Sequence, residues 1–224
     1  MTTGARYDGI ADWYDTEFQP APLESETWQT LVRLLGAGSG SLIDIGCGTG
    51  AYTAALAERG WDVTGVDTSE DMLRRAHARG VRAIQFDAMS LPFEDASFDA
   101  AISVFTHTDA DDFAAVAREV ARVLRRGGPF VYLGPHPCFI GPHAVYDAER
   151  ALPELHPGWY RRLGRYDEAP GISQSSGLRL RVGASHLPLG LFLQAFLDAG
   201  LRLERIEEPE EREYPFVLAL RWRR

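Results

Sequence analysis

Short apolar runs and helical stripes alternate along most of this chain. Residues 41–45, 62–66, 81–86, 98–104 and 129–133 read as strands, each a near-apolar run bounded by Gly, Asp or Pro. Residues 51–58, 69–78 and 110–124 read as helices, with Gly60, Gly80 and Gly127-Gly128 as stop signals. In the last of these, Phe113, Val116, Val120, Val123 and Leu124 form one apolar stripe, and Arg125 and Arg126 fall in the final turn. An earlier helix is predicted over 23–35, where Trp28, Leu31, Leu34 and Leu35 recur at helical spacing. Strands alternating with helices predict an α/β fold, with a largely parallel sheet covered on both faces.

The alternation breaks at residues 134–185, where Pro and Gly are frequent and long apolar runs are few. Within that stretch Leu178, Leu180 and Val182 alternate with Arg179 and Arg181, which predicts a strand with one wet face. The α/β pattern returns as a helix over 189–199, followed by strands over 201–207 and 214–222 joined by an acidic loop. No internal repeat or linker divides the chain. The expectation is a single domain over 1–224 with an insertion after the fifth strand.

Composition narrows the function. The 224 residues suffice for one such core without a disulfide or metal staple. The formal net charge of -9 does not suit a general nucleic-acid binder, whose affinity rests on neutralising phosphates. Cys47 and Cys138 are too few for a cysteine-rich scaffold or a four-thiolate zinc site, although one disulfide is possible on count. No apolar run is long enough to span a membrane, and the N-terminus does not read as a signal peptide, so a cytoplasmic protein is expected.

The sharpest chemical feature is the turn Gly46-Cys47-Gly48-Thr49-Gly50 after the first strand. Glycines there let the chain reverse sharply and let a ligand approach bare backbone. No Gly-Lys-Ser or Gly-Lys-Thr follows, so this is not a phosphate loop, and the spacing departs from a dinucleotide fingerprint. Asp44 would repel a pyrophosphate but suits a cationic ligand or an amine. Asp67 ends the second strand, where a carboxylate can accept from a ribose diol. Asp87 ends the third, placed to accept from an adenine amino group with Ala88 and Met89 beside it. Three acids at three successive strand ends face one switch-point crevice.

Together these motifs closely resemble class I S-adenosylmethionine-dependent methyltransferases, in particular the small-molecule branch related to the ubiquinone and menaquinone biosynthesis enzymes. Residues 42–50 match the family's first strand and glycine turn. Gly65-Val66-Asp67-Thr68-Ser69, with Met72, matches its ribose motif. Phe86-Asp87-Ala88-Met89 matches its adenine motif, and Phe98-Asp99-Ala100-Ala101 its fourth strand. The resemblance implies a Rossmann-like seven-stranded mixed sheet of order 3-2-1-4-5-7-6, with the seventh strand antiparallel. It also implies S-adenosylmethionine as cofactor, S-adenosylhomocysteine as product and no metal. Expected cofactor contacts are Tyr14, Asp44, Gly46, Cys47, Gly48, Gly50, Asp67, Thr68, Met72, Asp87, Ala88, Met89 and Phe105. Tyr14 matches a tyrosine that closes over the methionine part, with Tyr7 as its competitor, which makes residues 1–36 a lid and helix. Residues 134–185 would cap the substrate.

The acceptor side is less determined. His107 leaves the fourth strand near the expected methyl group and is a candidate general base. Asp109 would orient it or cap the helix that follows. His136 and His143, on the insertion, are the other candidate catalytic residues, and His186 precedes the late helix. His136, Cys138 and His143 are too few for a zinc site. Trp159, Tyr160 and Tyr166 either line a pocket or build the cap's core. Arg161, Arg162, Arg165, Arg179 and Arg181 suit an anionic substrate or a solvated strand face. The expected activity is methyl transfer to an O, N or C atom of a small molecule, by a monomer or homodimer, with no nucleic-acid or membrane partner. A non-catalytic cofactor-binding module, an enzyme using the cofactor for other chemistry, and an NAD-dependent oxidoreductase are the alternatives.

Overall fold

The computed structural model describes residues 5–147, 149, 152–172 and 177–224. Seven strands form one sheet: β1 (Ser41–Ile45), β2 (Asp62–Asp67), β3 (Ala83–Gln85), β4 (Ala100–Val104), β5 (Pro129–Pro135), β10 (Arg202–Glu207) and β11 (Val217–Arg223). Their order is β3-β2-β1-β4-β5-β11-β10. β1 to β5 pair in parallel, and β11 runs antiparallel to both β5 and β10. This is the order expected from the sequence, antiparallel seventh strand included.

The period-two pleat sends successive side chains of β1 to opposite faces. Ile43 and Ile45 join Phe98, Phe113, Val120, Phe192, Phe196 and Trp222 in one core, against α5 (Phe113–Val123) and α7 (Leu189–Asp198). Leu42 joins Leu31, Leu34, Leu56, Ile102 and Val131 in the other, against α2 (Glu26–Leu35) and α3 (Ala51–Glu58). Asp44 shares Leu42's parity and so enters the α3 side, where Thr53 meets it. Each large apolar side chain fully buried in these cores contributes about 1.5–3 kcal/mol. Among the described residues no helix is long and apolar enough to cross a membrane.

Several elements differ from the sequence expectation. Residues 178–182 form a short helix, α6 (Leu178–Val182), not a strand. Gly177 and Gly183, both at positive φ, bracket one helical turn, and Leu178 and Val182 bury on a single side four residues apart. The helix expected from residue 110 starts at Phe113, because Asp112, not Asp109, caps it by accepting from the Ala115 amide at 3.0 Å. The third strand contracts to Ala83–Gln85. The helix expected over 23–35 begins as a 3-10 turn at Pro22–Glu24, and α2 follows with Ser25 as its cap.

Ahead of the sheet, α1 (Ala11–Trp13) runs into a π-helical turn at Tyr14–Phe18. α4 (Glu70–Ala78) follows β2 and is capped by Ser69. The stretch after β5 builds two antiparallel pairs. One joins β6 (Ala144–Asp147) to β7 (Leu152–Leu155), and the other joins β8 (Gly164–Tyr166) to β9 (Ala184–His186). Both cysteines are free thiols.

Candidate active site

β1 and β4 are neighbours in the sheet but lead to helices on opposite faces, so a crevice opens beyond their carboxyl ends. There the structure has a cavity of about 1390 Å³. Its floor is the strand ends Ile45, Val66 and Val104 with the turns after them. Gly46, Gly48 and Gly50 all hold left-handed φ, of 71°, 53° and 79°. A Cβ on Gly46 would lie 2.0 Å from the Thr106 methyl, so the strand-one turn and the strand-four turn touch only because the side chain is absent. At Gly48 the space for a Cβ is open, leaving bare backbone at the cavity wall.

Asp67 ties the turn together. Its two oxygens accept from the Gly48 and Ser69 amides, each at 2.9 Å. Burial pushes its carboxyl up, and the amide hydrogen bonds oppose that rise. Asp44 is 2% exposed and accepts from the Thr53 hydroxyl at 2.6 Å; burial pushes its pKa up to about 7. Asp87 accepts from the Met89 amide at 2.8 Å. Tyr14 reaches the cavity from the N-terminal segment, edge-on to Tyr7 at 5.9 Å, and burial raises its hydroxyl pKa, so it keeps its proton.

Of the residues expected around a cofactor, Tyr14, Gly46, Gly48, Asp67, Thr68, Met72, Asp87, Ala88, Met89 and Phe105 line this one cavity. Asp44, Cys47 and Gly50 stand behind its wall. Cys47 packs on Gly65, where a Cβ would lie 2.7 Å from its sulfur, and burial raises its thiol pKa. Gly50 lets α4 approach, since a Cβ there would sit 2.9 Å from Ala76 Cβ.

The three candidate catalytic histidines are placed elsewhere. Phe105 takes a φ of 60°, and beyond it His107 enters the aromatic core against Phe113, Tyr132 and Phe192. There His107 Nδ1 pairs with the Tyr132 hydroxyl, and burial pushes its pKa down to about 3. A neutral imidazole held in that core does not face the cavity. His136 bonds to Glu208 at 3.0 Å, and His143 to the Cys138 carbonyl at 2.9 Å. His186 bonds to the Tyr160 carbonyl, and Tyr160 accepts from the Leu189 amide, so these groups tie the insertion to the start of α7. Among the described residues no cluster of three or more His, Cys, Asp or Glu is arranged to hold a metal ion.

The insertion's arginines are also engaged. Arg162 stacks over Trp159 and Arg181 over Trp13. Arg179 is 2.7 Å from Asp109 and donates to the Thr108 hydroxyl at 2.8 Å. Asp109 also accepts from the Tyr7 hydroxyl at 3.0 Å, while its carbonyl accepts from Arg6 at 2.6 Å. This buried group on the cavity wall escaped the sequence reading, which had Asp109 orient His107 or cap the next helix and put Arg179 in a strand. No local pattern marks it, because its members come from three separate segments.

The N-terminal segment is fastened over the glycine turn and α4. Asp8 accepts from Ser69 at 2.7 Å, Asp12 pairs with Arg75 at 2.6 Å, and Asp15 pairs with Arg79 at 2.6 Å and accepts from Thr49 at 2.9 Å.

Comparison with known proteins agrees with this geometry. Residues 43–132 match the family described as "Methyltransferase domain". A demethylmenaquinone methyltransferase of Mycobacterium marinum is 37% identical over 128 residues, covering 56% of this chain and 55% of that protein. The chain therefore spans about half the length of the curated relatives it matches. An S-adenosylmethionine-dependent methyltransferase structure from Mesorhizobium loti superposes with a TM-score of 0.73 at 26% identity, over 89% of this chain and 98% of that one. A second, from Listeria monocytogenes, gives 0.71 at 21% identity, over 91% and 99%, and speaks to the fold. The glycine turn and the strand-end acids lie within residues 43–132, the stretch that matches the methyltransferase-domain family, and the fold is that of the S-adenosylmethionine-dependent methyltransferase structures on which the chain superposes.

Proposed function

We propose that this protein transfers a methyl group from S-adenosylmethionine to an O, N or C atom of a small-molecule acceptor. One observation carries the reading: ten residues expected at a cofactor line a single cavity of about 1390 Å³. That is larger than the ~300–1,000 Å³ of a one-ligand pocket, so cofactor and acceptor fit side by side. The bound cofactor supplies an electrophilic methyl on a sulfonium. The chain's part is to bind and orient. The lone pairs that Asp67 does not share with Gly48 and Ser69 accept from a ribose diol, and Asp87 with Ala88 and Met89 receives the adenine. The bare backbone at Gly48 suits an amino-acid tail, and Asp44, behind the turn, acts on its amino group through loop carbonyls or water. Tyr14 and the fastened N-terminal segment close over the site and exclude water. Holding an acceptor in line with the methyl supplies much of the rate.

Residues 134–185 act as the acceptor's cap on this reading, since Ile140, Val145, Arg165 and Arg179 line the cavity. Residues 1–36 act as lid and helix. The net charge of -9 supports a free metabolite over nucleic acid as substrate, in a cytoplasmic enzyme. Calorimetric titration with S-adenosylmethionine, S-adenosylhomocysteine and NAD tests the proposal, followed by a screen of acceptors for released S-adenosylhomocysteine. One-site binding of the first two and none of NAD is expected. Failure of both methyl-donor forms to bind would refute it.

A further inference from the structure

The acceptor end of the cavity contains arginines, yet each is neutralised from within the fold. Arg179 lies against Asp109 at 2.7 Å, Arg165 against Asp167 at 2.9 Å, and Arg6 against Asp111. Glu210 adds a further carboxylate to the wall, and Phe113, Val116, Ile140, Val145 and Phe216 make the surface between them apolar. Among the described residues, an acceptor carrying a carboxylate or phosphate would leave water without meeting an unpaired cation.

Asp109 is the group at the centre of this balance. It lines the cavity with its side chain only 21% exposed, and Arg179 is only 16% exposed. Its Oδ1 accepts from Arg179 and its Oδ2 from the Tyr7 hydroxyl. A carboxylate has about four lone-pair directions, so about two are unused by these partners. Burial, reinforced by the charge of Asp109, raises the Tyr7 pKa and keeps Tyr7 a donor to the carboxylate.

We propose that Asp109 sets acceptor specificity: by neutralising Arg179 it shuts out carboxylate- and phosphate-bearing acceptors, and its unused lone pairs take an O–H or N–H from an uncharged one. This rests on the methyl-transfer reading above. Arg179 and Tyr7 are positioning residues that hold the carboxylate. Removing the charge at Asp109 would leave Arg179 unpaired in the same wall and turn an excluding site into an attracting one.

The test is calorimetry on the full chain saturated with S-adenosylhomocysteine, using para-propylphenol, para-propylbenzoate and para-propylanisole as probes. The phenol should bind about tenfold more tightly than the other two, which lack the donor or add a charge. In Asp109→Asn the phenol should weaken by about tenfold and the benzoate should overtake it, because Arg179 is now free. Replacing Arg179 as well, by Met, should abolish that gain. A benzoate that binds the unmodified protein as tightly as the phenol overturns the proposal. So does failure of all three probes, or a loss in Asp109→Asn that is equal for all three. The ranking on the unmodified protein decides even if the variant does not fold. Failure of S-adenosylhomocysteine itself to bind would overturn the methyl-transfer reading, whereas its binding with benzoate preferred overturns the role of Asp109 alone.

Discussion

Replacing Asp44 by Asn isolates the cost of keeping a carboxyl inside β1. Burial raises the Asp44 pKa from 3.8 to about 7; the Thr53 hydrogen bond pulls it back and the charge of Asp67 adds to the rise. Below the unfolded-state value both states hold the proton and the group adds no pH dependence to stability. As pH rises through the interval between the two values, the unfolded chain releases the proton and the native chain keeps it. Stability therefore falls with increasing pH and levels off above the native value. Three units of difference amount to about 4 kcal/mol over the whole interval, of which about 2 kcal/mol falls between about pH 5.5 and 8. Asn carries no proton and does not share this slope. Urea unfolding of both proteins across that window should show the unmodified protein losing about 2 kcal/mol relative to Asp44→Asn. Parallel pH profiles would refute the buried, protonated carboxyl. A cationic cofactor tail near Asp44 favours its ionised form, so cofactor binding should release a proton at about pH 6. Calorimetry in buffers of different ionisation heat reads that release.

Other substitutions probe the remaining parts. Asp67→Asn sets an amide NH₂ against the Gly48 or Ser69 N–H; it should cost about 1–3 kcal/mol of stability and at least about tenfold in S-adenosylhomocysteine affinity, read by thermal melting and calorimetry. Gly46→Ala adds a methyl where Thr106 already sits, at a φ of 71°, and should cost about 1–3 kcal/mol and impair cofactor binding; unchanged affinity would show that the two turns need not touch. Arg79→Gln removes the ion pair to Asp15; it should weaken cofactor affinity by roughly two- to fivefold at low salt and less at high salt. Tyr132→Phe leaves His107 Nδ1 without its partner and should lower stability by about 1–3 kcal/mol, measured by urea unfolding.

The central sheet was legible because each inner strand is buried on both faces and so reads as a short, near-apolar run. The residues that line the cavity's floor were legible for a related reason. Asp67, Asp87 and the glycine turn stand at or just beyond strand ends, and strand ends are visible in sequence. Residues 178–182 were not, because five residues with Leu178, Leu180 and Val182 fit one helical turn as well as a strand. The 64% exposure of Leu180, against the burial of Leu178 and Val182, decides between them. His107 misled because proximity to the end of β4 does not fix direction; the chain turns at Phe105 and the ring goes inward. The pairing of Asp109 with Arg179 and Tyr7 spans separate segments, so no window of sequence contains it.

That carboxylate has a mechanical consequence. Tyr7 comes from the N-terminal segment and Arg179 from α6, and both are bonded to the same side chain after β4. On the proposed reading, in which these two segments cover the site, neither swings away without slackening the tether of the other, so the expected opening is a joint one. Such opening belongs to the microsecond-to-millisecond range that sets the pace of many enzymes. A turnover rate that slows with solvent viscosity, and quickens when Tyr7 loses its hydroxyl, would reveal the shared mooring as the molecule's clock.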